Sequence, residues 1–139
     1  MLLNEIAEQL GQYSVVLEPE EDIPEWWAGA PSVLRAPDGA FYLAARMRHD
    51  RSPKGKRGYE IRLLKSRDGK RFEPIHRISR EAARVPGFER PALVLDPQTL
   101  RYKLYACAGL ERGWAILKFD DADDPARFDP ATVRPVLTA

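Results

Sequence analysis

Asp68-Gly69-Lys70-Arg71-Phe72-Glu73-Pro74 returns as Asp124-Pro125-Ala126-Arg127-Phe128-Asp129-Pro130, at an offset of 56 residues between Phe72 and Phe128. Other matches flank it. Gly58-Tyr59-Glu60-Ile61 recurs as Gly113-Trp114-Ala115-Ile116 at an offset of 55, and Pro31-Ser32-Val33-Leu34 as Pro91-Ala92-Leu93-Val94 at 60. Phe41-Tyr42-Leu43 pairs with Tyr102-Lys103-Leu104 at 61. Order is kept while spacing drifts, as loops of different length would make it. The chain is built on an internal repeat.

Each repeat reads as strands divided by turns. In the first, strands are expected over residues 32–36, 41–47, 59–64 and 72–78. Pro37-Asp38-Gly39 and Ser66-Arg67-Asp68-Gly69 are hairpin-turn chemistry, and the alternation from Tyr59 to Leu64 predicts one buried face. The second repeat places strands near 92–95, 102–107, 114–119 and 133–137, with turns at Asp96-Pro97-Gln98-Thr99 and across the acidic residues 120–125. Residues 79–84 suit one helical turn between the repeats. Leu2, Leu3, Ile6, Ala7 and Leu10 fall at helical spacing ahead of Gly11, a plausible C-cap, and a strand is expected at 13–17.

Four antiparallel strands every 55–60 residues match one propeller blade per repeat. Leucine-rich and ankyrin arrays have shorter periods and helical patterns that are missing here. The expected fold is all-β: two four-stranded antiparallel β-propeller blades with a short N-terminal helix. Residues 1–139 form one partial propeller domain, with the helix and a strand in 1–24, the first blade in 25–80 and the second in 81–139.

Hydrophobic residues make up 44% and charged residues 31% of the chain, the balance of a globular protein rather than a disordered or membrane one. A net charge of +1 supplies no global field toward nucleic acid or acidic lipid. Cys107 is the sole cysteine, which rules out an internal disulfide and a multi-cysteine metal site. The N-terminus, Met1-Leu2-Leu3-Asn4-Glu5-Ile6-Ala7-Glu8, carries acids where a secretory signal carries bases. No stretch has the roughly 18 apolar residues of a membrane span. The expected setting is the reducing cytoplasm.

Gly29-Ala30-Pro31-Ser32-Val33-Leu34, Asp38-Gly39-Ala40-Phe41-Tyr42-Leu43 and Ser66-Arg67-Asp68-Gly69 resemble one blade of the five-bladed glycoside-hydrolase-like proteins, the arabinanase, xylosidase and fructosidase-like group. Phe88-Glu89-Arg90-Pro91 resembles the opening of the next blade, and the similarity covers roughly residues 25–139. It implies a sugar pocket lined by residues just before the innermost strand of each blade. Hydrolysis there needs a carboxylic acid and a carboxylate flanking the scissile bond. The first-blade carboxylate of that group sits directly before the blade-opening proline, where this chain has Ala30. Glu89 lies in the comparable region of the second blade and is a weak candidate for catalysis. The general acid normally comes from a third blade, so the resemblance implies an incomplete catalytic set and an isolated chain that binds without cleaving.

The candidate carbohydrate-binding residues are Trp26, Trp27, Arg46, Arg48, Glu89 and Arg90. Indole faces stack on the apolar side of a sugar ring, although either tryptophan would equally plug a gap between blades. Glu89 can accept bonds from neighbouring hydroxyls and Arg90 offers a rigid fork of donors, whereas an exposed ion pair is the plainer alternative. Arg46 and Arg48 share strand parity and suit an anionic sugar or a phosphate. The distal Lys54-Gly55-Lys56-Arg57 reads equally well as a solvated loop.

Only Tyr59 lies near this basic run, so nucleic acid is not the expected partner. Cys107, in an apolar strand, reads as buried packing. His49 and His76 lack a third ligand at zinc spacing, and Asp120-Asp121-Ala122-Asp123-Asp124 lacks the central glycine of a calcium loop. Neither a metal nor a cofactor is expected. Two blades cannot close a ring, so the chain is expected to self-associate into an oligomer or to meet further blades of a longer chain. The alternative function is a noncatalytic assembly or protein-binding propeller module.

Overall fold

The computed structural model describes residues 3–52 and 57–138. Helix α1 (Leu3–Leu10) leads into an extended segment. A first sheet follows, with β1 (Trp27–Arg35), β2 (Phe41–Arg48), β3 (Gly58–Ser66) and β4 (Glu73–Ser79). One helical turn, α2 (Arg80–Ala83), crosses to β5 (Glu89–Leu95), β6 (Tyr102–Leu110), β7 (Gly113–Lys118) and β8 (Arg134–Thr138). The two sheets are four-stranded and antiparallel, with strands in chain order.

The turns follow from their aspartates. Asp38 accepts from the Ala40 amide, Asp68 from Lys70 and Arg71, Asp96 from Gln98 and Thr99, and Asp124 from Ala126. Each carboxylate mimics a backbone turn acceptor. Asp68 and Asp124, matched in the sequence repeat, therefore make corresponding turns.

The sequence matches are also structural matches. Arg46 faces Ile61 across β2 and β3, and their counterparts Cys107 and Ile116 face each other across β6 and β7. Ile78 pairs with Ile61 as Leu137 pairs with Ile116. β1 and β5 break register at the same place, between Gly29 and Ser32 and between Glu89 and Ala92. Within these bulges Ala30 (φ 50°) and Arg90 (φ 45°) take the left-handed conformation. Each precedes a proline, a combination that costs about 1–3 kcal/mol.

Strand period fixes two faces per sheet. The forward face of the first sheet carries Leu34, Tyr42, Ala44, Ile61, Leu63 and Ile78. It packs on the rear face of the second, which offers Leu93, Leu104, Ala106, Ala108, Ala115 and Leu117. Burying each large side chain there contributes about 1.5–3 kcal/mol. Phe88, Phe119 and Phe128 complete this core with ring centroids 6.3 and 6.4 Å apart. The Ser32 hydroxyl accepts from the Leu93 amide, and a His76 ring nitrogen bonds the Phe128 carbonyl. Forward face meets rear face, so the packing is head-to-tail.

Head-to-tail packing leaves two faces over. The rear face of the first sheet buries Leu43, Ala45 and Leu64 under Leu17 and Phe72. Phe72 does there what its counterpart Phe128 does between the sheets. Glu20 pins the N-terminal segment by bridging Arg62 and Arg77, at 2.6 and 3.2 Å, and Glu21 and Glu25 pair with Arg51 and Arg57. The forward face of the second sheet carries Val94, Trp114, Ile116 and Leu137, all exposed.

Three expectations need correction. No strand forms at residues 13–17. Both sheets use their own four strands, and this segment instead meets the first sheet through Leu17, with Tyr13 and Val15 exposed. β1 and β5 begin earlier than expected, because their ladders continue N-terminal to the bulged prolines. Cys107 is half-buried rather than buried, because it lies on the second sheet's open forward face. The Lys54-Gly55-Lys56 part of the distal basic loop lies outside the described residues.

Candidate functional site

Odd strands start and even strands end at the same end of each sheet. That end gathers the termini of β2 and β6 and the starts of β3, β5 and β7. Gly58 opens β3 there, and an added Cβ would sit 1.9 Å from the Phe88 carbonyl oxygen. Only glycine allows the backbones to approach this closely, and the Phe88 amide donates to the Gly58 carbonyl at 2.8 Å. This contact sets the start of β5 beside the end of β2.

Arg46 of β2 and Glu89 of β5 consequently form an ion pair between the sheets, with both side chains largely withdrawn from water. Two further guanidinia lie close. Burial first, then the charges of Arg48 and Arg90, pull the Arg46 guanidinium below its ordinary pKa. The Arg48 guanidinium lies 4.1 Å from the ring centre of Trp27, its cross-strand neighbour, a cation–π contact.

These groups edge a groove of about 970 Å³ on the second sheet's forward face. Its lining includes Arg48, Arg57, Glu89, Arg90, Cys107 and Trp114. The floor continues over Ile116 and Leu137. A cleft of this size with an apolar floor and a few convergent polar groups is the usual form of a small-molecule site. The groove can stack a flat apolar surface on Trp114, 52% exposed, while a carboxylate and guanidinium forks meet polar groups at its edge.

Of the six candidates from sequence, Arg48, Glu89 and Arg90 line the groove, and Arg46 reaches it through Glu89. Trp27 stands behind Arg48. Trp26 is elsewhere, packed on His49 at 4.9 Å and Tyr59 at 5.9 Å, with the Arg51 guanidinium over its ring. His49 stacks on Tyr59 at 4.7 Å. Arg57, Cys107 and Trp114 also line the groove: sequence reading placed Arg57 in the distal basic loop, took Cys107 as packing and passed over Trp114. The repeat offsets carried the signal for two of them, since they align Arg46 with Cys107 and Tyr59 with Trp114.

The residues before Pro31 and Pro91 occupy equivalent places in the two sheets. Ala30 corresponds structurally to Arg90, and Gly29 corresponds to Glu89. Among the described residues, Glu89 is the one carboxylate side chain lining the groove. The acids of residues 120–124 are engaged elsewhere: Asp120 pairs with Arg134, Asp121 with Lys118 and Asp123 with Arg101, while Asp124 caps a turn.

Among the described residues, no group of three or more His, Cys, Asp or Glu side chains is placed to hold a metal ion. No helix among them is long and apolar enough to cross a membrane. No family model matches the chain, and neither a curated protein nor a solved structure matches it.

Proposed function

We propose that the chain recognises carbohydrate in the groove at the start of β5, and that its two sheets are propeller blades of the glycoside-hydrolase-like kind. The observation that carries this reading is the convergence of Arg48, Glu89, Arg90 and Trp114 on one cavity. A sugar presents hydroxyls that both donate and accept, and an apolar ring face. A carboxylate accepts from those hydroxyls, guanidinium forks donate to them, and an indole stacks on the ring. Head-to-tail packing of equivalent faces supports the blade reading, because a propeller is that packing continued around an axis.

Binding is proposed without hydrolysis. Both glycosidase geometries place two carboxyl groups across the scissile bond, while among the described residues the groove is lined by one carboxylate side chain, Glu89, and Arg46 engages it. A glycan array probed with the full chain and with Glu89→Ala, Arg90→Ala and Arg46→Ala tests the proposal. Glu89→Ala and Arg90→Ala are each expected to weaken binding by about 1–3 kcal/mol. Unchanged array binding in all three variants removes the site. Turnover of an aryl glycoside that Glu89→Gln abolishes overturns the noncatalytic reading.

A separate observation favours a second reading, that of an assembly module. The second sheet's forward face is open where its counterpart in the first is covered. The occupant proposed for it is a further four-stranded sheet of the same repeat, by continuity with the interface already formed between the two sheets. Such a sheet crossing Val94, Ile116 and Leu137 leaves the arginine end of the groove at its margin. Sedimentation tests whether copies supply it. Self-association lost on Ile116→Arg supports that source, and a compact monomer at all concentrations contradicts it.

A further inference from the structure

We infer that the groove's ligand carries an oxyanion, a carboxylate or a phosphate on a sugar ring, seated between the guanidinia of Arg48 and Arg90. This rests on the carbohydrate reading and adds the class of sugar. Three arginines line the groove, Arg48, Arg57 and Arg90, and Arg46 joins them through Glu89, but their pairing is unequal. Arg46 has Glu89 and Arg57 has Glu25. Among the described residues, neither Arg48 nor Arg90 has a carboxylate within ion-pair distance. Both line the cavity.

Their settings hold them there. Arg48 is half-buried with its guanidinium held over the Trp27 ring, a contact that uses none of its N–H donors as a hydrogen bond to a carboxylate. The Nε atoms of Arg46 and Arg48 are buried without a hydrogen-bond partner. The Arg90 backbone is set by the bulge, in a left-handed conformation directly before Pro91, and its exposed side chain lines the groove. The corresponding bulge residue in the first sheet is Ala30, so the strained backbone exists without an arginine and does not itself explain one. Strain of this kind gathers at binding sites.

Charge decides between a neutral and an acidic sugar. A neutral ring leaves the charges of Arg48 and Arg90 acting on Arg46 at the edge of an apolar groove. An oxyanion offsets those charges through charge-assisted hydrogen bonds, which are shorter and stronger than neutral ones. A carboxylate offers a planar match to one fork, and a phosphate offers three oxygens to two forks.

Calorimetric titration of the full chain with glucuronic acid, glucose, glucose 6-phosphate and inorganic phosphate tests the inference. At low salt, at least one acidic sugar is expected to bind about tenfold or more tighter than glucose, a factor equal to about 1.4 kcal/mol. That preference should fall about tenfold in Arg48→Gln and in Arg90→Gln, and shrink as added salt screens it. Circular dichroism identifies any variant that has lost its fold, and the salt dependence of the wild-type chain then carries the test. Equal affinity for glucose and both acidic sugars overturns the oxyanion inference and leaves the carbohydrate reading standing. Inorganic phosphate binding as tightly as glucose 6-phosphate keeps the arginine seat and overturns the sugar. Binding of none of the four overturns both.

Discussion

Ile61 and Ile116 hold the same place in their two sheets, yet Ile61 is fully buried and Ile116 is 36% exposed. Each faces an equivalent residue on the neighbouring strand, Arg46 for one and Cys107 for the other. Ile78 and Leu137 repeat the contrast at 0% and 62%. The difference is one of cover and not of residue type. Ile61→Ala should therefore cost about 2–5 kcal/mol by emptying a packed site, and Ile116→Ala no more than about 1 kcal/mol in the uncovered chain. Urea unfolding of the two variants side by side checks the asymmetry, and equal costs would contradict it.

Two glycines give the sharpest steric contrast. At Gly58 a Cβ would meet backbone atoms of Phe88 at 1.9 and 2.9 Å, whereas at Gly109 nothing lies within 4 Å. Gly58→Ala is expected to destabilise by at least about 1–3 kcal/mol, because the start of β5 must move. Gly109→Ala is expected to be neutral or to stabilise by roughly 0.5–1 kcal/mol, since alanine loses less backbone freedom in a strand. Thermal unfolding compares them directly.

Arg46 and Glu89 join β2 to β5, so their contribution is mutual. Removing either leaves the other charge largely withdrawn from water. Arg46→Met and Glu89→Gln should each cost about 1–3 kcal/mol, and the double variant should cost less than the two together. A double-mutant cycle in urea measures that coupling. Strict additivity would show that the pair is not an energetic unit.

Acid should loosen the hairpins in a defined window. The Asp96 carboxyl is held at about 2 by the Lys103 ammonium and then by the Gln98 and Thr99 amides. Asp68 is held at about 2 by the Arg71 and Lys70 amides and the Ser66 hydroxyl. The ordinary value is 3.8 for each. Folded values below the unfolded one mean that this stability is complete above about pH 4 and is lost as pH falls through about 2. Asp68→Asn and Asp96→Asn should each flatten the dependence of the urea midpoint on pH below 4. An unchanged slope in both variants would contradict this account.

Strand order and turns were legible because aspartate-rich turns and apolar alternation are local signals. The starts of β1 and β5 were not, because Ala30-Pro31 and Arg90-Pro91 read as breaks when they are bulges inside continuing ladders. Residues 13–17 have strand composition, but pairing is a tertiary event and no strand accepts them. The lining of the candidate groove was legible where polarity stood out, at Arg48, Glu89 and Arg90. Trp114 was passed over because a tryptophan in an alternating strand reads as core. Only the absence of cover on the second sheet turns it toward a cavity. Trp26 does not line that groove, since neighbouring tryptophans diverge and it packs on His49 and Tyr59.

The most direct measurement is a nitrogen-15 NMR titration of the full chain with glucuronic acid and, separately, with glucose. The Arg90 amide and the Trp114 indole N–H should shift together and saturably with at least one sugar, while the Trp26 indole stays in place. Saturable shifts confined to residues away from the start of β5, or no saturable shift with either sugar, would contradict the assignment of this groove as the carbohydrate site.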